Sequence, residues 1–344
     1  MLPETITFPA EPNVLLKEFL NAKNYSQVGV LLDENTKKLC YPLIQDGLPG
    51  HRLIQIKAGE EHKNLETCIL VWQQLTEFAF DRHSLLIILG GGVLGDLGGF
   101  CASTFKRGID FLLIPTTLLS QVDASIGGKL GIDFQNYKNH IGVFHEPVST
   151  FISTSFLKTL PERELRSGFA EVIKHCLISD RAMWDKVSSQ SLAHQHWEEL
   201  IHHSAEFKYS VIQSDPRENG LRKILNFGHT VGHAVEGCFL ASGNPIFHGE
   251  AVAVGMTAEA FIGFKKGLLT QGELNQITTY LAKIFGHFEL PPEENELLTR
   301  IRQDKKNKGK SILMALPDGI GKAVWDVEVS ENEIVESLEF YRSL

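Results

Sequence analysis

Leu85-Leu86-Ile87-Ile88-Leu89-Gly90-Gly91-Gly92-Val93-Leu94-Gly95-Asp96 decides the fold. An unbroken run of large aliphatic residues leaves no polar face, as expected of a strand buried on both sides in a parallel sheet. The run ends in glycines and passes into a helical pattern. Backbone N–H groups and the positive end of a helix can then face a pyrophosphate. Gly90, Gly92 and Gly95 fit G-x-G-x-x-G, although a plain strand-to-helix turn fits it too. The acidic residue expected to close a following strand about 20 residues on is not evident. Ribose contacts would have to come from other strand ends, where Asp33, Asn35, Glu60 and Lys63 are candidates. Each of these also reads as a helix cap or a solvated charge.

Outward from this stretch, Val28–Leu32, Leu53–Ile56 and Phe111–Ile114 read as further buried strands, and Leu65–Phe78 has apolar residues at helical spacing. From residue 151 long helical patterns dominate, at Glu162–Ile178, Trp197–Gln213, Arg222–Cys238, Glu250–Lys265 and Gly272–Phe285. Short strand signals return at Ile312–Leu316 and Lys322–Val327. The expected fold class is an α/β N-terminal nucleotide-binding domain with a parallel sheet over 1–150, followed by a mainly α-helical metal- and substrate-binding domain over 151–344. A cleft between two such domains is the usual place for a ligand.

Composition narrows the function classes. The 344 residues are 43% hydrophobic and 22% charged, an ordinary balance for a folded chain with two cores. A formal net charge of −9 argues against nucleic acid or an anionic membrane as main partner. Any anionic ligand then needs a local basic cluster. Charges interrupt every apolar run before membrane-spanning length, and Met1–Thr5 shows no secretion-signal pattern. Cys40, Cys68, Cys101, Cys176 and Cys238 are scattered without CxxC spacing, which reads as reduced thiols in the cytoplasm.

A metal site is suggested by Gly228-His229-Thr230-Val231-Gly232-His233, where a spacing of four puts both histidines on one helix face. His248 opens the next helical pattern, and Glu171 stands among apolar neighbours. A carboxylate and imidazoles from three helices could form an open three-ligand catalytic centre. An isolated HxxxH is also an ordinary helix-surface pair, but the apolar company of Glu171 and His229 speaks against that, because a buried unpaired charge is costly. His194, His196, His202 and His203 lie in a polar stretch and read as a solvated helical face. Lys129, Lys138, Lys174, Lys208, Arg222 and Lys310 recur beside glycine, asparagine or apolar residues. Arg222, Asn226 and His229 are spaced to share one helix face, offering a guanidinium fork, an amide and a metal to one anion.

At this point the chain resembles the 3-dehydroquinate synthase family. The likeness is carried by Gly90–Asp96, Arg107-Gly108, Pro115-Thr116-Thr117-Leu118-Leu119, Asp123–Lys129, Lys138-Asn139, Leu157–Lys174, Asp215–His233 and His248-Gly249-Glu250. It runs in order from about Asp33 to about Gly321. The resemblance implies zinc, with cobalt as a substitute, on Glu171, His229 and His248, and it turns His233 from ligand to phosphate contact. It implies NAD against Gly90, Gly91, Gly92, Val93, Leu94, Gly95, Asp96, Thr116, Thr117, Lys129, Lys138, Phe156, Leu157, Lys158 and Thr159, with Asp33, Asn35, Glu60 and Lys63 near its adenosine end. Asp123, Lys129, Asn139, Lys174, Lys208, Glu218, Arg222, Asn226 and Lys310 would line the substrate pocket, with Lys305 and Lys306 as alternatives to Lys310. A homodimer is implied, in which Arg107 reaches the neighbouring active site. The activity implied converts 3-deoxy-D-arabino-heptulosonate 7-phosphate to 3-dehydroquinate and phosphate, a lyase reaction of aromatic amino acid biosynthesis. Two alternatives stay open: another sugar phosphate cyclase, whose substrate lacks the carboxylate, and a metal-dependent polyol dehydrogenase.

Overall fold

The computed structural model describes residues 2–135, 137–290, 294–302 and 312–344. Lys305, Lys306 and Lys310 lie outside the described residues. The chain divides into two compact units, Met1–Leu165 and Arg166–Leu344.

The first unit is built on a six-stranded sheet. Its strands are β1 (Ile6–Thr7), β2 (Val28–Asp33), β3 (Arg52–Ile56), β4 (Leu85–Gly90), β5 (Asp110–Pro115) and β8 (Ser149–Phe151). Spatial order is β1-β8-β5-β4-β2-β3, and every pairing is parallel. Each residue of β4 is buried, which is why it carries no alternation. Helices α3 (Leu65–Glu77) and α4 (Gly92–Thr104) cover one face, where Val71, Leu75 and Leu97 meet Leu31, Ile54 and Ile88. On the other face α1 (Pro12–Asn21) brings Leu16 and Leu20 to Val30, Leu32, Ile87 and Ile114. Helix α2 (Glu34–Leu39) follows β2 directly. The expected strands and α3 are present within a residue or two of their expected bounds.

An antiparallel ribbon of β6 (Lys129–Phe134) and β7 (Tyr137–Phe144) packs against α4. It has no counterpart among the expected strands. Much of β7 is exposed and its sequence, Tyr-Lys-Asn-His-Ile-Gly-Val-Phe, lacks the apolar continuity of the buried strands.

Helices dominate the second unit: α5 (Glu162–Ser179), α6 (Arg181–Ser188), α7 (Trp197–Ser214), α8 (His229–Ala241), α9 (His248–Lys265), α10 (Gln271–Phe285), α11 (Glu294–Arg302) and α12 (Glu331–Arg342). Strands β9 (Ile312–Pro317) and β10 (Ala323–Val329) pair antiparallel. Helix α9 is apolar nearly all round and packs on α8, α10 and α12. Val254, Ala258 and Ile262 there meet Val231 and Val235 of α8 and Leu338 of α12 in one core.

One expected helix is broken. The pattern Arg222–Cys238 is a short 3-10 turn, Leu221–Asn226, followed by Phe227, Gly228 and then α8. Gly228 is left-handed (φ 79°), and a Cβ there would lie 2.5 Å from Met256 Cγ. Arg222 and Asn226 therefore do not share a helix face with His229. Apolar spacing carried across the break because both pieces bury aliphatic side chains, while the conformation turned on a single glycine.

Close approach of helices also fixes Gly249, where a Cβ would fall 1.9 Å from the Ser167 carbonyl oxygen of α5. Gly249→Ala must push α9 off α5. The expected cost is at least about 2 kcal/mol, since rigid backbone cannot yield as a side chain does. A fall in denaturant midpoint at unchanged slope would register it; a wild-type midpoint would mean that the two helices part freely.

Candidate active site and metal centre

In the first unit, the direction of strand order reverses between β2 and β4, which pair directly. Ligands of open α/β sheets sit at the carboxyl ends of strands at such a switch point. Both Asp33, ending β2, and Gly90, ending β4, belong to this edge. Gly91 is the N-cap of α4 and makes no side-chain cap. A shallow hollow is lined here by Gly90, Gly92, Gly95, Asp96, Pro115 and Ser125. Gly91 and Val93 are half-buried in the same turn, whereas Leu94 points into the core.

The other expected cofactor residues divide between this edge and structural duties. Thr116 donates its N–H to the Gly90 carbonyl (3.0 Å), and Thr117 forms a turn with Ser120. Asp33 caps α2, accepting from Thr36 N (2.7 Å), while Asn35 and Glu60 are exposed. Lys63 is buried and donates to Asp96 Oδ2 and Asn139 Oδ1, each at 2.6 Å. The Asn139 N–H donates in turn to Asp133 (2.7 Å). This network joins the segment after β3, the glycine-loop helix and the ribbon. Phe156 and Leu157 are buried, Phe156 in the sheet core, and only Lys158 and Thr159 of that segment are exposed. Asp123 is half-buried in the π-turn Ser120–Ala124. Lys129, Lys138 and Arg107 are exposed.

In the second unit the metal candidates converge. Ligand atoms of Glu171 on α5, His229 on α8 and His248 on α9 all lie within 4.8 Å of one another. Glu171 Oε1 faces His229 Nε2 at 3.5 Å and His248 Nε2 at 3.6 Å, while the buried Lys174 ammonium takes Oε2. The carboxylate is 1% exposed. Burial acts to raise its pKa, but Lys174, with His248 and His175, outweighs it and holds the group well below the usual carboxylate range. Glu171 is thus an anion at any physiological pH.

The chemistry of this donor set fits a divalent cation. His229 Nδ1 lies 3.1 Å from the Phe227 carbonyl, which can only accept, so Nδ1 carries the proton and Nε2 presents its lone pair to Glu171. A lone pair and a carboxylate facing each other repel unless a cation lies between them. His248 also has a partner behind it, with Nδ1 at 3.4 Å from Glu236 Oε2, and without a metal its ring lies between two carboxylates. Burial disfavours its charged form, yet the two carboxylates outweigh burial and push this imidazole up to about 9. Carboxylates and carbonyls behind ligating imidazoles are the usual means of fixing their orientation. Glu236 escaped the sequence reading; its signal is its place three residues after His233 on the histidine-bearing helix.

His233 is exposed, its ring 5.1 Å from that of His229 and 5.9 Å from that of His248. It also groups with Glu236 and His248 in an arrangement that could hold an ion. Lys208 and Arg222 are both buried cations. The Arg222 guanidinium donates to the Pro216 carbonyl (2.9 Å), and Asn226 Nδ2 donates to Glu218 Oε1 (2.8 Å). Asp215, not singled out beforehand, accepts from the N–H groups of Asn219, Gly220 and Arg222 and so shapes this loop. Of the polar-stretch histidines, His194, His196 and His202 are exposed, whereas His203 is half-buried and 3.3 Å from Asp180.

Family models described as 3-dehydroquinate synthase N-terminal and C-terminal match residues 53–167 and 168–307. A 3-dehydroquinate synthase of Parabacteroides distasonis is 36% identical over 334 residues, 95% of this chain and 94% of the relative. Among solved structures, 2-epi-5-epi-valiolone synthase from Streptomyces hygroscopicus subsp. jinggangensis, with NAD+ and Zn2+ bound, aligns with a TM-score of 0.88 at 26% identity, covering 100% of this chain and 98% of that one. A 2-deoxy-scyllo-inosose synthase complexed with carbaglucose-6-phosphate, NAD+ and Co2+ shares the fold at TM-score 0.83 and 23% identity, over 96% and 95% of the two chains. With both halves matched in order and the likeness extending over nearly the whole length, the chain belongs to the 3-dehydroquinate synthase family.

Proposed function

We propose that the protein converts 3-deoxy-D-arabino-heptulosonate 7-phosphate to 3-dehydroquinate and phosphate, as a carbon–oxygen lyase of aromatic amino acid biosynthesis. The observation that carries this reading is the convergence of Glu171 with His229 and His248 in a family whose relatives bear that name. When bound, a divalent cation, zinc or cobalt, supplies Lewis acidity at the hydroxyl to be oxidised, and NAD supplies a reversible hydride acceptor. Glu171, His229 and His248 hold the cation. The open glycine turn, with Thr116, Thr117 and Lys138, holds the dinucleotide, and Lys63 braces that turn through Asp96.

Lys129, Asn139, Lys208, Arg222 and Asn226 bind the anionic ends of the substrate, Glu218 fixing the Asn226 amide. Lys174 neutralises Glu171, and Asp123 is a further substrate-binding residue. His233 orients the phosphate, which takes the adjacent carbon-bound proton as it leaves. Ring opening and aldol closure follow within the held conformer. Arg107 serves the neighbouring site of a homodimer. It follows Lys106 in a left-handed pair, φ 70° and 50°, a strained conformation of the kind kept at functional positions. The five described cysteines are buried and outside any disulfide, and no described helix is long and apolar enough to cross a membrane. These features suit a cytoplasmic enzyme.

Phosphate release from the heptulosonate phosphate without net NADH accumulation tests this reading. Turnover only of a sugar phosphate lacking the carboxylate would reassign the substrate, and net NADH from simple polyols would make the protein a dehydrogenase. Within the same assay, Lys129→Ala and Arg222→Ala are each expected to raise KM and lower kcat, by about tenfold to a hundredfold in kcat/KM. Each removes a charge-assisted hydrogen bond of about 1.5–3 kcal/mol. Wild-type kinetics in both would remove Lys129 and Arg222 from the substrate site.

A further inference from the structure

Glu259 is a lone carboxylate in the apolar middle of α9, 0% exposed. Its oxygens divide between two backbone donors at the start of α8. Oε2 accepts from Gly228 N at 2.6 Å, and Oε1 accepts from Val231 N at 3.0 Å. The first N–H groups of a helix have no partner within it, and the N-cap here is a glycine with no side chain to offer. A carboxylate from the neighbouring helix does the capping instead, at the positive end of the α8 dipole.

The two clamped N–H groups bracket His229, the first residue of α8. Gly228 N–H and Phe227 C=O belong to one planar peptide unit, so fixing the first fixes the second. That carbonyl faces His229 Nδ1 at 3.1 Å. A line of polar contacts therefore runs from the buried carboxylate through a peptide to the imidazole, whose Nε2 faces Glu171 at 3.5 Å. An N–H held by an anion polarises its peptide and makes the carbonyl a stronger acceptor, which raises the basicity of the imidazole beyond it. Close approach supports the same contact: a Cβ on Gly255 would lie 1.9 Å from the Gly228 carbonyl oxygen. A comparable tie joins α5 to α9, where the Gly249 N–H donates to Ser167 Oγ at 3.0 Å beside His248.

We propose that Glu259 is a positioning residue of the metal centre, orienting and activating His229 through the Phe227–Gly228 peptide. This rests on the metal reading of Glu171, His229 and His248. Full-length, zinc-loaded protein equilibrated against a graded chromophoric zinc chelator measures the affinity. Glu259→Gln keeps the volume but turns one acceptor into a donor aimed at an N–H. It is expected to weaken zinc binding about tenfold to a hundredfold and to shift the visible bands of the cobalt-loaded protein. Ile334→Val, in the same unit's core but remote in role, controls for general loosening and should keep wild-type affinity and spectrum. Should Glu259→Gln not fold, Glu259→Asp, one methylene short of both N–H groups, is read by the same criteria. Wild-type zinc affinity and cobalt bands in the variant that folds, or an equal loss in Ile334→Val, would overturn the proposal. A Glu171→Gln variant with wild-type zinc affinity would instead remove the metal reading, and this inference with it.

Discussion

Glu171→Gln, His229→Ala and His248→Ala are each expected to lose metal on dialysis and to lower turnover by about a hundredfold or more. The size follows from ligand number: three protein ligands are usual for an open catalytic centre, and two leave the cation to water. Glu171→Gln has a second consequence. Oε1 is the atom that both imidazoles face, and Oε2 takes Lys174. An amide cannot serve the two at once, so the buried Lys174 loses its counter-charge, and some loss of stability should accompany the loss of metal. His248→Ala removes the imidazole that two carboxylates share and should bring Glu236 no new partner. Metal content by elemental analysis, beside the thermal transition, separates the two effects. Wild-type stoichiometry in all three variants would put the metal elsewhere.

His233→Ala is the second large effect, and it should have the opposite signature. The variant is expected to keep its metal and lose about 10²–10⁴ in kcat, the usual contribution of a group that governs a proton transfer. Its ring is as near to His248 as a ligand's would be, so distance alone does not assign it. Exposure separates them: His233 is open to solvent, whereas His229 is 13% exposed and backed by a carbonyl. An open imidazole beside a cation is suited to meet a diffusible phosphate. Under single-turnover conditions hydride transfer should survive and phosphate loss should slow. Loss of metal from His233→Ala would make it a ligand, in the group it forms with Glu236 and His248.

Much of this architecture is legible along the chain. Buried parallel strands announce themselves because both faces are covered, so β2, β4 and β5 read as apolar runs without polar alternation. Lone carboxylates in apolar surroundings, Glu171 and equally Glu259, signal a buried partner because isolated burial is too costly. Glu259 carried that signal and went unread. The exposed ribbon of β6 and β7 lacked any such pattern, since a half-solvated strand can tolerate most residues.

By itself the sequence determined the buried strands β2, β3, β4 and β5, the glycine turn, and which imidazoles and carboxylate could meet a metal, because apolar runs and residue spacing are read locally. Tertiary structure alone decided which atoms face one another. It broke the helix at Gly228, turned Lys63 inward to Asp96 and Asn139, and aimed both histidine Nε2 atoms at one oxygen of Glu171. Those choices depend on contacts between residues far apart in the chain, such as Glu259 with Gly228 and Ser167 with Gly249. Backbone donors of this kind look alike in every sequence, and only the packing of helices selects which of them a side chain will reach.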